Sequence, residues 1–184
     1  MNHSVTSKEE ILSVCRDIVQ TEGIQAVNAR RVAGQLGIAL GSLYNYFSSK
    51  EALVMACVAS VWQEILPLEK MRHLSLYDTM DLIVQDLDAG QKAYPSFFAS
   101  HAMVFGKKEG AKGAMAHMEA GLQKVLLDAI VNDAGIRSGI DSVRYAAHLL
   151  DVINGMVLRN HFDSDMVLDI VNAYAYGGNY GRNK

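Results

Sequence analysis

Apolar residues recur along this chain at spacings of three and four, and no segment alternates with a sustained period of two, so the pattern predicts helices throughout. The first helix opens at Thr6-Ser7-Lys8-Glu9-Glu10, where Thr6 with Glu9 or Ser7 with Glu10 has the spacing of a capping box. Its apolar face is Ile11, Leu12, Cys15, Ile18 and Val19, and it ends at Gly23, which tolerates the left-handed backbone of a helix stop. Two short helices are expected over residues 28–36 and 40–47, pivoting on Gly37. A longer helix begins at Ser49-Lys50-Glu51, carries Leu53, Val54, Cys57, Val58, Val61, Trp62 and Ile65, and is closed by Pro67.

Residues 67–74 read as a loop, followed by a helix with Leu76, Met80, Ile83, Val84 and Leu87. Pro95 interrupts the path ahead of a short apolar segment, and Gly106 to Gly113 reads as an exposed loop rich in glycine and lysine. Helices are expected from about 114 to 132, 140 to 160 and 164 to 176. The tail 177–184 has nothing evident to pack and is expected to be mobile.

Composition narrows the class. A length of 184 residues suits one ordinary domain or a small domain joined to a medium one, and half of the residues are hydrophobic, enough for a core. Only two prolines occur, Pro67 and Pro95, which favours long helices. No run approaches the ~20 consecutive apolar residues of a membrane span, and no apolar signal core follows the polar start, so the expected location is cytoplasmic. Two cysteines, Cys15 and Cys57, cannot make a disulfide scaffold; both fall on apolar helix faces and read as buried structural thiols.

The sharpest motif is Asn28-Ala-Arg-Arg-Val-Ala-Gly-Gln-Leu-Gly-Ile-Ala-Leu-Gly-Ser-Leu-Tyr-Asn-Tyr-Phe47. Ala33 is small where two helices must cross, and Gly37, four residues on, supplies a positive φ in the tight turn of a helix-turn-helix. Val32, Leu36, Ile38, Leu43 and Phe47 pin the helices together. The second helix then presents Gly41, Ser42, Tyr44, Asn45 and Tyr46 outward with no acid among them, and a helix of that size fits the major groove.

The residues Val32-Ala33, Gly37-Ile38, Gly41 to Phe47 and Ser49-Lys50-Glu51-x-Leu53 make this stretch resemble, without a gap, the amino-terminal signature of the tetracycline-repressor (TetR) family of bacterial transcriptional regulators. The resemblance is specific over roughly residues 7–55. It implies an all-α protein: a three-helix helix-turn-helix domain over residues 1–48 and a helical ligand-binding and dimerisation domain over residues 49–176. It also implies roles. Tyr44 and Tyr46 would touch phosphates or thymine methyls, and Lys50 would meet a phosphate at the start of its helix. Asn28 and Arg30 would grip the flanking backbone, and Ala39, Leu40, Gly41, Ser42 and Asn45 would complete the DNA face. Two positions depart from the family pattern. Ala39 stands where a Ser or Thr is common, which removes an N-cap of ~1 kcal/mol, and Leu40 stands where a polar or basic residue is common.

Charge adds little. Residues 1–60 carry Lys8, Arg16, Arg30, Arg31 and Lys50 against Glu9, Glu10, Asp17, Glu22 and Glu51, so the −3 of the whole chain lies beyond them. Affinity for DNA must come from placement, and a shallow salt dependence is expected.

Residues 145–158 are apolar almost all round, broken by His148, Asp151 and Asn154, so this helix needs a partner on more than one side. In the family the last two helices form a four-helix bundle across a twofold axis. Ala147, Leu150, Asp151, Asn154, Gly155, Leu158, Val167, Ile170, Val171 and Tyr174 are the expected homodimer interface. Trp62, Tyr77, Met80, Tyr94, Phe97, Phe98, His101, Met103, Phe105, Met115 and Met118 are the candidate lining of a pocket for a largely apolar small-molecule effector.

Catalysis finds no support. The histidines are scattered singly without metal-ligand spacing, and neither a phosphate loop nor a nucleophile elbow occurs, so no cofactor or metal is expected. The rival from another class is a helical interaction protein that uses the helix-turn-helix fold without sequence-specific DNA binding. The reading adopted from sequence is a dimeric repressor of a palindromic operator that a ligand releases, by a swing of the helix starting at Ser49 that unmatches the heads from a groove spacing of ~34–36 Å.

Overall fold

The computed structural model describes residues 6–99, 109–178 and 180, with residues 109–115 by their backbone alone. Every regular element among the described residues is helical. In chain order they are α1 (Lys8–Glu22), α2 (Ala29–Leu36), α3 (Leu40–Tyr44), α4 (Lys50–Ile65), α5 (Leu76–Ala93), α6 (Glu109–Asn132), α7 (Ser142–Arg159) and α8 (Ser164–Tyr176). Tight 3₁₀ turns cover Ile24–Ala26 and Leu68–Met71, and residues 95–99 are helical again after Pro95.

Local chemistry explains most boundaries. Ser7 and Glu10 form both halves of the capping box of α1, Glu10 N–H to Ser7 Oγ at 3.1 Å and Ser7 N–H to Glu10 Oε2 at 2.7 Å. Asp141 and Asp163 cap α7 and α8 by accepting from the amides of Arg144 and Met166. Gly177 and Asn160 end those helices in the left-handed conformation.

Three expectations are corrected. The connection at 67–74 contains the 3₁₀ turn Leu68–Met71, which buries Met71. The loop expected through Gly113 is helical from Glu109: Gly110 and Gly113 each cost about 1 kcal/mol in a helix, while Glu109, Ala111, Lys112 and Ala114 favour it. The helix expected over 40–47 closes at Tyr44 and tightens into i→i+3 bonds, Asn45 N–H to Ser42 O at 3.3 Å and Tyr46 N–H to Leu43 O at 3.0 Å. Lys50–Met71 is also long and apolar enough to span a membrane by composition, yet its Leu53, Cys57, Val58, Val61, Trp62 and Ile65 are buried within the protein.

The chain falls into two compact units, one holding residues up to Glu64 together with Gln91–Ala116, the other Ile65–Gly90 with His117–Lys184. In the first, the apolar face of α1 is buried along with Val32, Leu43, Phe47, Val61, Trp62, Phe97 and Phe98. α1 is tied to α4 through Arg16, whose guanidinium donates to Ser60 Oγ and meets Glu9 at 2.7 Å and Glu64 at 2.8 Å. Tyr94 donates to the other Glu64 oxygen at 2.8 Å, and burial first, then this bond, raises its phenol well above the ordinary range.

In the second unit, Gly90 lets α5 pass Ile65 so closely that an added Cβ would lie 2.6 Å from Ile65 Cγ2. Asp133, just past α6, accepts from the Leu76 amide at 2.9 Å and from the Tyr176 hydroxyl, and Tyr176 in turn accepts from the Tyr77 amide at 3.0 Å. The tail is not without partners: Tyr180 stacks on Tyr77 with ring centres 4.2 Å apart, and its hydroxyl lies 2.9 Å from Ser75 Oγ.

Candidate nucleic-acid interface

The helix-turn-helix is built as its residues dictate. Asn28 Oδ1 accepts from the Arg31 amide at 3.0 Å and so caps α2. Gly37 ends α2 at φ +65°, a conformation a side chain would strain, and Ile38 N–H returns to Ala33 O at 3.0 Å. Leu43 is fully buried and Phe47 nearly so, which fixes the face of α3 turned inward. The opposite face is open: Gly41 and Asn45 are exposed, Tyr44 and Tyr46 are 42% and 40% exposed, and Leu40 and Ser42 are half-buried. Ala39 has the extended backbone of an N-cap residue but offers no side-chain bond, so α3 begins uncapped.

Two contacts on this surface were not legible in the motif. The Tyr46 hydroxyl donates to the carbonyl of Thr6, which ties the segment after α3 to the start of α1. Lys8 Nζ sits 5.7 Å from the centre of the Phe47 ring.

The cations divide into two groups. Arg31 is clasped by Glu22, with Nη1 2.7 Å from Oε2, and this hydrogen bond holds the Glu22 carboxyl below its usual range. Arg16 is held by Glu9 and Glu64. Arg30 and Lys50 are exposed and, among the described residues, have no ion-pair partner. Lys50 opens α4, where Ser49 Oγ accepts from the Ala52 amide at 3.1 Å.

Over residues 7–57 the sequence matches the family described as bacterial regulatory proteins, tetR family. That stretch, and no more of the chain, is similar to the family's amino-terminal domain. Solved structures agree on the fold of the whole. The chain is similar to the reduced form of Escherichia coli NemR, with a TM-score of 0.70 and 16% identity over 91% of this chain and 96% of that one. A transcriptional regulator from Rhodococcus sp. RHA1 gives a TM-score of 0.67 and 18% identity over 90% and 93%. Bacillus subtilis FadR in complex with stearoyl-CoA gives 0.62 and 15% over 89% and 97%. Among curated proteins none matches the sequence.

The residues expected to line an effector pocket are distributed between the two units. In the first, Trp62 contacts Phe97 and Phe98 edge-to-face at 5.5 and 5.7 Å, Tyr94 meets Phe97 at 6.4 Å, and all four are buried. In the second, Met80 is fully buried, Tyr77 lies under Tyr180, and Met118 is half-buried. His101, Met103 and Phe105, and the side chain of Met115, lie outside the described residues. A cleft of about 770 Å³ opens between the segment 68–75 and one face of α6. Leu68, Met71, Val125 and Ala129 line it together with Arg72, His73, Lys124 and Asp128.

On α7 and α8, Leu158, Ile170 and Tyr174 are exposed large apolar side chains, and Asp151 is exposed beside half-buried Ala147, Leu150, Asn154 and Gly155. Val167 and Val171 face the chain's own interior. Val143, Val152 and Met166 are exposed in addition. Met166, Ile170 and Tyr174 form an i, i+4, i+8 stripe that the spacing alone contained.

Proposed function

We propose that this TetR-type protein represses transcription by reading a two-fold operator as a homodimer, and that a small, largely apolar effector releases it. The observation that carries the reading is the outward row Gly41, Ser42, Tyr44, Asn45 and Tyr46 on α3 and the turn that follows it, pinned from behind by Leu43 and Phe47, with unpaired Arg30 and Lys50 beside it. Tyr44 can approach phosphates or thymine methyls, Lys50 and the free amides at the start of α4 can hold a phosphate, and Asn28 and Arg30 can hold the flanking strand. The exposed stripe on α8 with Leu158 of α7 supports a second copy as its cover, since a run of large apolar side chains in water marks an interface. The stearoyl-CoA bound by the similar FadR supports an effector of the small-molecule class.

The test is selection from a pool of randomised 30-base-pair duplexes, with the oligomeric state measured by sedimentation on the same sample. Enrichment of a palindrome by a dimer, lost in Tyr44→Ala and Lys50→Ala while the dimer persists, is the expected outcome. A second reading, an interaction protein without DNA, draws on uncapped α3 and the engaged hydroxyl of Tyr46. It gains the field if an intact dimer enriches no sequence.

A further inference from the structure

The cleft beside α6 is fixed at both ends. At one end Leu68 presses on Gly121 so closely that an added Cβ would lie 3.0 Å from Leu68 Cδ1. At the other the Leu76 amide donates to Asp133 Oδ2 at 2.9 Å. The segment 68–76 therefore runs alongside residues 121–133 in the same direction, over ~18 Å at the rise of a helix. Between the two pins the walls part and leave about 770 Å³. That space falls within the ~300–1,000 Å³ of small-molecule sites, and every residue lining it belongs to the second compact unit.

The lining carries two chemistries. Gly121, Val125 and Ala129 recur every fourth residue, so they form a continuous stripe of small apolar groups along α6, joined in the lining by Leu68 and Met71. Arg72 and His73 on the segment and Lys124 on α6 border the same space. Their side chains are exposed and have no ion-pair or hydrogen-bond partner among the described residues. Asp133 is already satisfied by the amides of Leu76 and Gly135 and the hydroxyl of Tyr176, which leaves Glu69 and Asp128 as the acids of the rim. His73 stands at φ +66°, uncommon for a residue with a side chain, and it does so midway along the wall.

We propose that this cleft binds a medium-chain alkyl carboxylate, one per chain, with its unbranched tail on the stripe Gly121, Val125 and Ala129 and its head held by Arg72 and Lys124. An apolar stripe of one helix width takes an extended tail, and a guanidinium takes a carboxylate by two parallel hydrogen bonds. A cleft already pinned at both ends loses little conformational freedom when it is filled. Glu69 and Asp128 repel such a head, so removing one of their charges tightens binding, whereas a cationic ligand would lose a partner.

The proposal does not rest on the regulator reading, because its readout is ligand binding by the chain alone. The full chain is titrated by calorimetry with sodium decanoate below its micellar concentration, and with decanol and decylammonium for comparison. Saturable binding of one decanoate per chain is expected, weakened about tenfold in decanol and in each of Arg72→Ala and Lys124→Ala. Asp128→Asn should bind more tightly, and Val125→Trp, which fills the stripe, should not bind while circular dichroism shows it folded. Absence of saturable binding, equal binding of decanol or decylammonium, weaker binding by Asp128→Asn, or full binding by folded Val125→Trp would each overturn the proposal. Arg72 and Lys124 are exposed, so their variants decide the matter even where Val125→Trp fails to fold: unchanged affinity in both overturns it.

Discussion

Arg16 of α1 meets Glu64 near the end of α4 through Nε and Oε2 at 2.8 Å, although the two residues are forty-eight positions apart in sequence. The same guanidinium serves Ser60 and Glu9, and Glu64 also serves Tyr94, so one arginine holds three polar partners and reaches a fourth through Glu64. Replacing Arg16 by Met at this seam of α1 and α4 keeps the apolar stem but removes the donor to Ser60 Oγ and to Glu64 Oε2, leaving Glu64 only its bond from Tyr94. A loss of about 2 kcal/mol is expected in urea denaturation. Unchanged stability would show the seam to be held by apolar contact alone.

Ala39 stands in the extended conformation that an N-cap requires, with no side-chain acceptor. Ala39→Ser supplies one and should stabilise the protein by about 1 kcal/mol, a rise of roughly 2–4 °C in Tm for a chain of this size. A calorimetric scan checks this directly. If the DNA reading is correct, the same variant also binds the selected duplex at least as well as the parent.

The two exposed tyrosines should separate by role. Tyr46→Phe removes only the hydroxyl held by the Thr6 carbonyl and should cost about 1 kcal/mol of stability with little change in DNA retention. Tyr44→Ala should do the reverse, with DNA binding falling while denaturation is unaltered within ~0.5 kcal/mol. Identical behaviour of the two variants in both assays would contradict this division.

Asp86 carries a buried carboxylate oxygen with no hydrogen-bond partner, and burial raises its pKa against a smaller opposing pull from Lys70. The folded state therefore holds its proton to higher pH than the unfolded chain does. Between the unfolded and folded pKa values stability falls as pH rises, and the cost is fully present at neutral pH. Asp86→Asn should raise stability at pH 7 and flatten the stability profile on the acid side. Chemical denaturation from pH 4 to 7 measures both.

Few cations are free to neutralise phosphates, because Arg16 and Arg31 are already held by carboxylates. With Arg30 and Lys50 as the contacts of each head, a dimer neutralises about four phosphates, and the logarithm of its DNA affinity should fall with the logarithm of salt at a slope of about −4. A slope of about −5.4 would mean that Arg31 leaves Glu22 on binding, which brings the count to about six phosphates.

Features set by neighbours in the chain were legible in the sequence. The Ser7 and Glu10 box, the stop at Gly37 and the span of α8 all depend on residues within one or two turns. What escaped depends on distant partners. Nothing near Arg16 announces Glu64, nothing near Tyr180 announces Tyr77, and the interior orientation of Val167 and Val171 is settled by the packing of α8 rather than by their apolar character. The aromatic residues read as a pocket lining were identified by type. Type alone does not say which rings meet, and Trp62, Phe97 and Phe98 pack edge-to-face on one another.

The bonds that run from Asp133 through Tyr176 to Tyr77, and from Tyr180 back to Ser75, give the last turn of α8 an anchorage at the first turn of α5. A recombinant form shortened at position 178 would keep every described helix and yet lose the ring over Tyr77, so its α8 should fray first in hydrogen exchange. An affinity tag is accordingly safer at the amino terminus, and the carboxy-terminal clasp offers a place where a single cleavage event would loosen the helix that carries the exposed Met166, Ile170 and Tyr174 stripe.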